Sequence, residues 1–117
     1  MRFCPRVLIV EDEAAISDIL SEVLSEDYEV VCVARVDEAL LVFGRQRIDV
    51  VLLDYHLLDG NAQDVAKRAD QAEVPVVWIP GDPDIVETLV RASHFLLAKP
   101  FGIQQVLDML AKARGLH

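Results

Sequence analysis

The chain has 117 residues, 53% of them apolar and 26% charged, which suits one domain around one core and leaves no room for a second. That composition excludes a disordered chain, and no apolar run approaches the ~18 residues of a membrane span. The net charge of −9, with Lys and Arg dispersed, argues against a nucleic-acid surface, and the two cysteines, Cys4 and Cys32, have no metal-ligand spacing and read as reduced thiols packed at or near the core. The start, Met-Arg-Phe-Cys-Pro, runs straight into a strand pattern with no secretory signal, so a cytoplasmic protein without a membrane partner is expected.

Strand-like and helix-like patterns then alternate five times. Arg6–Val10 reads as a strand. Ala14–Ser25 reads as a helix, with Ile16, Ile19, Leu20, Val23 and Leu24 at helical spacing. Tyr28–Val33 is the second strand, followed by a short helix over Asp37–Phe43 that Gly44 is expected to stop. Ile48–Leu53 is the third strand, and a loop over Asp54–Asn61 leads into a polar helix over Ala62–Ala72. Val74–Ile79 is the fourth strand. Asp82-Pro83 has the look of an N-cap with proline at the first helical position, opening a helix that runs to about Ala92. Phe95–Ala98 is the fifth strand, and a helix over Ile103–Arg114 ends before Gly115. Such an alternation predicts a parallel sheet covered by helices on both faces, with strand order 2-1-3-4-5 and a cleft between strands 1 and 3.

The chemistry sits at the ends of the apolar runs. Glu11 and Asp12 follow Val7-Leu8-Ile9-Val10, Asp54 follows Val50-Val51-Leu52-Leu53, and Lys99 follows Phe95-Leu96-Leu97-Ala98. In a parallel sheet these four emerge at one carboxyl rim, where open α/β folds bind ligands. Crowded carboxylates repel one another unless a cation neutralises them, and a hard ion such as Mg²⁺ takes one or two carboxylates and keeps waters. Such a metal and an adjacent lysine can neutralise an incoming phosphoryl group, which a carboxylate can then accept as nucleophile. Each acid taken alone is as well explained as a solvated loop residue or helix cap.

Together, VLIVEDE, VVLLDYHLLDG and LLAKPF make the chain resemble, over essentially all its length, the receiver domain of two-component response regulators. The resemblance implies a (βα)5 flavodoxin-like three-layer sandwich and a single receiver domain over 1–117 with no output domain. It places the metal-binding acids at Glu11 and Asp12, the phosphoacceptor at Asp54, the turn glycine at Gly60 and the phosphoryl-contacting lysine at Lys99. It implies Mg²⁺ held by Glu11 or Asp12, by Asp54 and by the backbone carbonyl of His56, and a cis bond before Pro100. The implied mechanism is phosphotransfer to Asp54 from a phosphohistidine on a sensor histidine kinase or histidine phosphotransfer protein, later reversed by hydrolysis. This makes the domain a self-catalysed phosphoacceptor rather than an enzyme with a separate substrate. His56 and Asp82 are expected at the rim, His56 lining the mouth rather than ligating or relaying through its side chain.

The chain departs from the family at its switch. The Thr or Ser that should end the fourth strand is replaced by Pro80, which has neither hydroxyl nor N–H. The aromatic expected three residues before the lysine is Leu96, and the loop position that is usually proline is Leu58. The expected function is therefore a phosphorylatable receiver that signals to an output protein the sequence does not name, or serves as a relay shuttle or sink. The alternative is a pseudo-receiver, an interaction module regulated without phosphate. A small phosphatase would want a second acid where His56 stands. A flavodoxin would want a Ser/Thr/Gly-rich phosphate loop where Glu11-Asp12-Glu13 stands.

Overall fold

The computed structural model describes residues 4–54, 61–79 and 102–115, together with the backbone of Phe95 and Leu96. The elements run β1 (Arg6–Val10), α1 (Ala14–Leu24), β2 (Glu29–Val33), α2 (Val36–Arg45), β3 (Val50–Asp54), α3 (Ala62–Gln71), β4 (Val76–Ile79), β5 (Phe95–Leu96) and α4 (Ile103–Ala113). All pairings are parallel, in the order β2-β1-β3-β4-β5 that the alternation predicts. The loop expected over 54–61 is described only at its two ends. The helix expected over 83–92 and the end of the fifth strand, Leu97–Ala98, lie outside the described residues.

Period-two alternation sorts the central strands into two cores. Val7, Ile9, Val50, Leu52, Val77 and Ile79 pack with Leu20 and Leu24 of α1 and Val106 and Leu110 of α4. Leu8, Val10, Val51, Leu53 and Trp78 pack on the other side with Val36 and Ala39 of α2 and Ala62, Val65 and Ala69 of α3. The sheet is therefore a middle layer with, among the described residues, a pair of helices on each face. Both faces being covered explains why VLIV and VVLL are unbroken apolar runs, with every residue of each run fully buried.

Helix ends follow local chemistry. Asn61 Oδ1 accepts the Gln63 N–H at 2.9 Å and caps α3. Gln105 Oε1 accepts the Gly102 N–H at 2.6 Å at the start of α4, which ends at the left-handed Gly115, φ 80°.

Two sequence readings need correction. Gly44 does not stop the second helix: α2 continues through Arg45, the Gln46 N–H still donates to Val42 O at 2.9 Å, and only at Gln46 does the chain turn extended, φ −138°. A glycine one residue from a helix end costs little, so a single Gly is a weak stop. The thiols of Cys4 and Cys32 are exposed rather than packed in the core. Cys4 precedes the first strand, and Cys32 lies on the outermost one, where one side of the strand has no neighbour among the described residues.

Candidate functional site

The site is set by strand register. Val10 pairs with Leu53, so the next residue on each strand, Glu11 and Asp54, emerge side by side at the carboxyl rim. The Glu11 N–H donates to Val33 O at 3.1 Å, extending the β1–β2 ladder one step and holding the backbone there. By alternation Glu11 continues the Val7–Ile9 row and Asp54 the Val50–Leu52 row, which places both acids over the core beneath α1 and α4.

Asp12, half-buried, completes the group. One carboxylate oxygen from each of Glu11, Asp12 and Asp54 lies within 4.8 Å of the other two. Glu11 is 2% exposed and Asp54 3% exposed, and they are the buried acids of the described residues. Glu11 Oε1 accepts the Glu13 N–H at 3.3 Å, and Glu13 is the N-cap of α1, whose own side chain makes no capping bond. The positive end of the α1 dipole thus faces the acids and lowers the cost of their charge. Nothing in the sequence signals that bond, because it depends on the turn that Asp12 makes between β1 and α1.

Burying adjacent anions is costly unless a cation or proton relieves them. Three converging hard oxygen donors, two of them withdrawn from water, fit a Mg²⁺-type ion with room for waters. The structure thus unites the three acids that the sequence marks. Lys99, Pro100, His56, Asp82 and Pro80 lie outside the described residues. The Leu96 backbone is in β5, paired with Trp78, so the residue at the position of the expected switch aromatic stands on the strand that the sequence assigns to it. Trp78 itself is fully buried in the core beneath α2 and α3, on the sheet face opposite the rows that lead to Glu11 and Asp54.

The fold and this acidic rim are those of a known family. The profile of the response regulator receiver domain matches residues 7–111, and the chain belongs to that family. It is 30% identical over 115 residues to the sporulation initiation phosphotransferase F of Bacillus subtilis, covering 92% of this chain and 91% of that one. It is 31% identical over 116 residues to the nitrogen assimilation regulatory protein NtrX of Azorhizobium caulinodans and spans 25% of its length. It is 33% identical over 116 residues to the DNA-binding response regulator MtrA of Mycobacterium tuberculosis and spans 49% of that protein. The chain thus covers about half or less of these two larger regulators, and 92% and 94% of its own residues take part.

Among solved structures, a response regulator receiver protein from Burkholderia phymatum superposes with a TM-score of 0.84 at 27% identity, covering 97% of each chain. The receiver domain of a sensor histidine kinase from Pseudomonas aeruginosa, with a magnesium ion in its active-site cleft, superposes with a TM-score of 0.84 at 23% identity, covering 97% of this chain and 99% of that one. The chain is accordingly a receiver domain of two-component signalling, homologous to response regulators. No helix among the described residues is long and apolar enough to cross a membrane.

Proposed function

We propose that Asp54 accepts a phosphoryl group from a phosphohistidine, in a site where Glu11, Asp12, Asp54 and the His56 backbone carbonyl hold Mg²⁺. The observation that carries this reading is the convergence of three carboxylates, two of them buried, on one point at the ends of β1 and β3.

An Asp54 carboxylate oxygen attacks phosphorus as the P–N bond to the donor imidazole breaks. The electron pair stays on that nitrogen, which takes up a proton, and Asp54 becomes an acyl phosphate. Lys99 pairs with a phosphoryl oxygen as charge shifts in the transition state. The metal, when bound, supplies neutralisation of the phosphoryl oxygens. Water later attacks phosphorus and returns the Asp54 carboxylate. The donor is a sensor histidine kinase or a histidine phosphotransfer protein, and no other substrate is turned over. We place the exchange in the cytoplasm, which suits the two free thiols. The near full-length match to a protein named a phosphotransferase supports a role as relay carrier. Output by protein–protein contact is the other use of the same phosphorylated state.

The experiment is intact-mass measurement immediately after incubation with acetyl phosphate and Mg²⁺, while a parallel sample reduced with borohydride, which expels the phosphate and leaves homoserine, marks the acylated residue. One phosphoryl group is expected on the parent chain and none on Asp54→Asn. A parent that stays unmodified, or an Asp54→Asn chain that is modified equally, overturns the assignment.

A further inference from the structure

The outer strand β2 is finished differently from the two strands beside it. Every residue of β3, and all of β1 after Arg6, is buried, whereas Val30, Val31 and Val33 of β2 are only half-buried and Cys32 is exposed. Apolar surface is thus left uncovered on both faces of the edge strand, since these residues alternate between the faces.

The backbone follows the same pattern. The Glu29 N–H donates to Pro5 O at 2.9 Å, and Val33 O accepts the Glu11 N–H at 3.1 Å, so positions 29, 31 and 33 turn toward β1. Val30 and Cys32 therefore direct their N–H and C=O groups to the outside of the sheet, where no strand is present among the described residues. Edges of this kind are usually guarded by lysine, proline or a bulge. Here the strand reads EVVCV, and its single charge, Glu29, is drawn inward to Arg6 at 2.6 Å.

We propose that β2 pairs antiparallel with β2 of a second copy of this chain, about a twofold axis through Val31, joining two sheets into one. Three features select that occupant and that register. Only the Val31 axis sets both outward residues of each strand against each other, Val30 opposite Cys32 of the second copy and the reverse. Two such pairs exchange two hydrogen bonds each. Axes through Val30 or Cys32 keep only one outward pair inside the strand. Beyond the ladder, Asp27 and Arg35 each stand four residues from Val31, so opposite charges meet at either end of the seam. Arg35 already holds Asp37 at 3.0 Å, and a guanidinium with five N–H groups can serve a second carboxylate. The strand is thus complementary to itself in hydrogen bonding, charge and exposed valine surface, as an isologous contact requires.

With a net charge of −9 on each copy, repulsion opposes the pairing, so association is sought in physiological or higher salt. Sedimentation velocity of the full chain under reducing conditions should show a species of twice the monomer mass whose fraction rises with concentration. In a Cys4→Ser background, a short bismaleimide should link the two Cys32 thiols, which lie diagonally across the axis. Cys32→Pro removes an outward N–H and leaves the β1 ladder intact; it should sediment as monomer with an unchanged far-ultraviolet spectrum. Cys32→Lys, at an exposed position, should do the same and stands in if the proline variant does not fold. A parent chain that stays monomeric at millimolar concentration overturns the proposal. So does a dimer that survives both folded variants, since it would use another face.

Discussion

Glu73 is the residue whose replacement should most directly raise stability. It follows the C-terminus of α3 with φ 59°, and is the non-glycine residue with positive φ among those described. The Val74 N–H donates to Ala69 O at 2.8 Å and the Glu73 N–H to Asp70 O at 3.0 Å. This crossed pair of bonds defines the Schellman turn, whose left-handed seat is usually glycine. An L-residue in that seat brings Cβ against the following carbonyl, at about 1–2 kcal/mol. Glycine relieves the clash but frees the unfolded chain, returning about 0.4–1 kcal/mol. Glu73→Gly should therefore stabilise the fold by about 0.5–1 kcal/mol. With an unfolding entropy of about 2.1 cal/mol/K per residue, that is a rise in Tm of roughly 2–4 °C.

Thermal and urea melts followed by circular dichroism measure it, with Glu73→Ala as the control that removes the carboxylate and keeps Cβ. The carboxylate matters because Glu73 shares a surface groove with Arg47, Asp49 and Arg114. If Glu73→Ala melts as high as Glu73→Gly, the gain comes from charge and the backbone reasoning is refuted. A Glu73→Gly chain that melts lower than the parent refutes it as well.

Four further outcomes follow from the rim. Millimolar Mg²⁺ should shift the amide resonances of Glu11, Asp12, Glu13 and Asp54, and silence there would remove the metal site. Trp78 fluorescence should respond weakly, because that ring packs on the sheet face away from the acids. Asp54→Asn should melt higher than the parent in the absence of metal, because it removes one of three adjacent carboxylate charges; a lower Tm would show that the carboxylates are not in conflict. Pro80→Thr should lengthen the life of the acyl phosphate by about tenfold, the lower end of a charge-assisted bond of about 1.5–3 kcal/mol, and an unchanged lifetime would mean that position 80 does not meet the phosphoryl group. Beryllofluoride should perturb the rim loops far more than β5 and α4, since Pro80 and Leu96 lack the hydroxyl and ring that couple them in the family; a concerted shift across Phe95–Leu97 and Ile103–Leu110 in amide spectra would contradict that.

Much of this arrangement was legible in the sequence, and the reasons differ by element. VLIV and VVLL were readable because strands covered on both faces need no polar alternation, and the strand order followed from the βα alternation. The convergence of Glu11, Asp12 and Asp54 followed from that order alone. Their burial and mutual distance did not, because both depend on how far the Glu11 backbone continues the ladder to Val33. The end of α2 was misread because Gly44 tolerates a helical φ as readily as a left-handed one. The turn at Glu73 carried no signal at all: Gln71-Ala72-Glu73-Val74 has none of the residues that favour left-handed backbone, and tertiary packing of Val74 and Val76 against the core beneath α2 and α3 imposes it. Cys32 was expected at or near the core because free cysteine is usually buried, and its place on the edge strand exposes it.

Packing also explains why the acids stay where phosphoryl chemistry wants them. Val7 and Ile9 lead to Glu11, and Val50 and Leu52 lead to Asp54, all four apolar residues fully buried in one cluster. Sliding either strand by one position would turn its row to the opposite face, exchanging every side chain that packs under α1 and α4. Because both faces are buried, such a slip exchanges one aliphatic shape for another, and the resulting cavities and overpacking at the two core residues of the displaced strand cost about 1–3 kcal/mol each. That is a large share of the about 5–15 kcal/mol by which a domain of ordinary stability is held. The acids do not need to attract one another to converge. The aliphatic rows beneath them bring them together, and the cost that remains is what a cation or phosphoryl-binding event can recover.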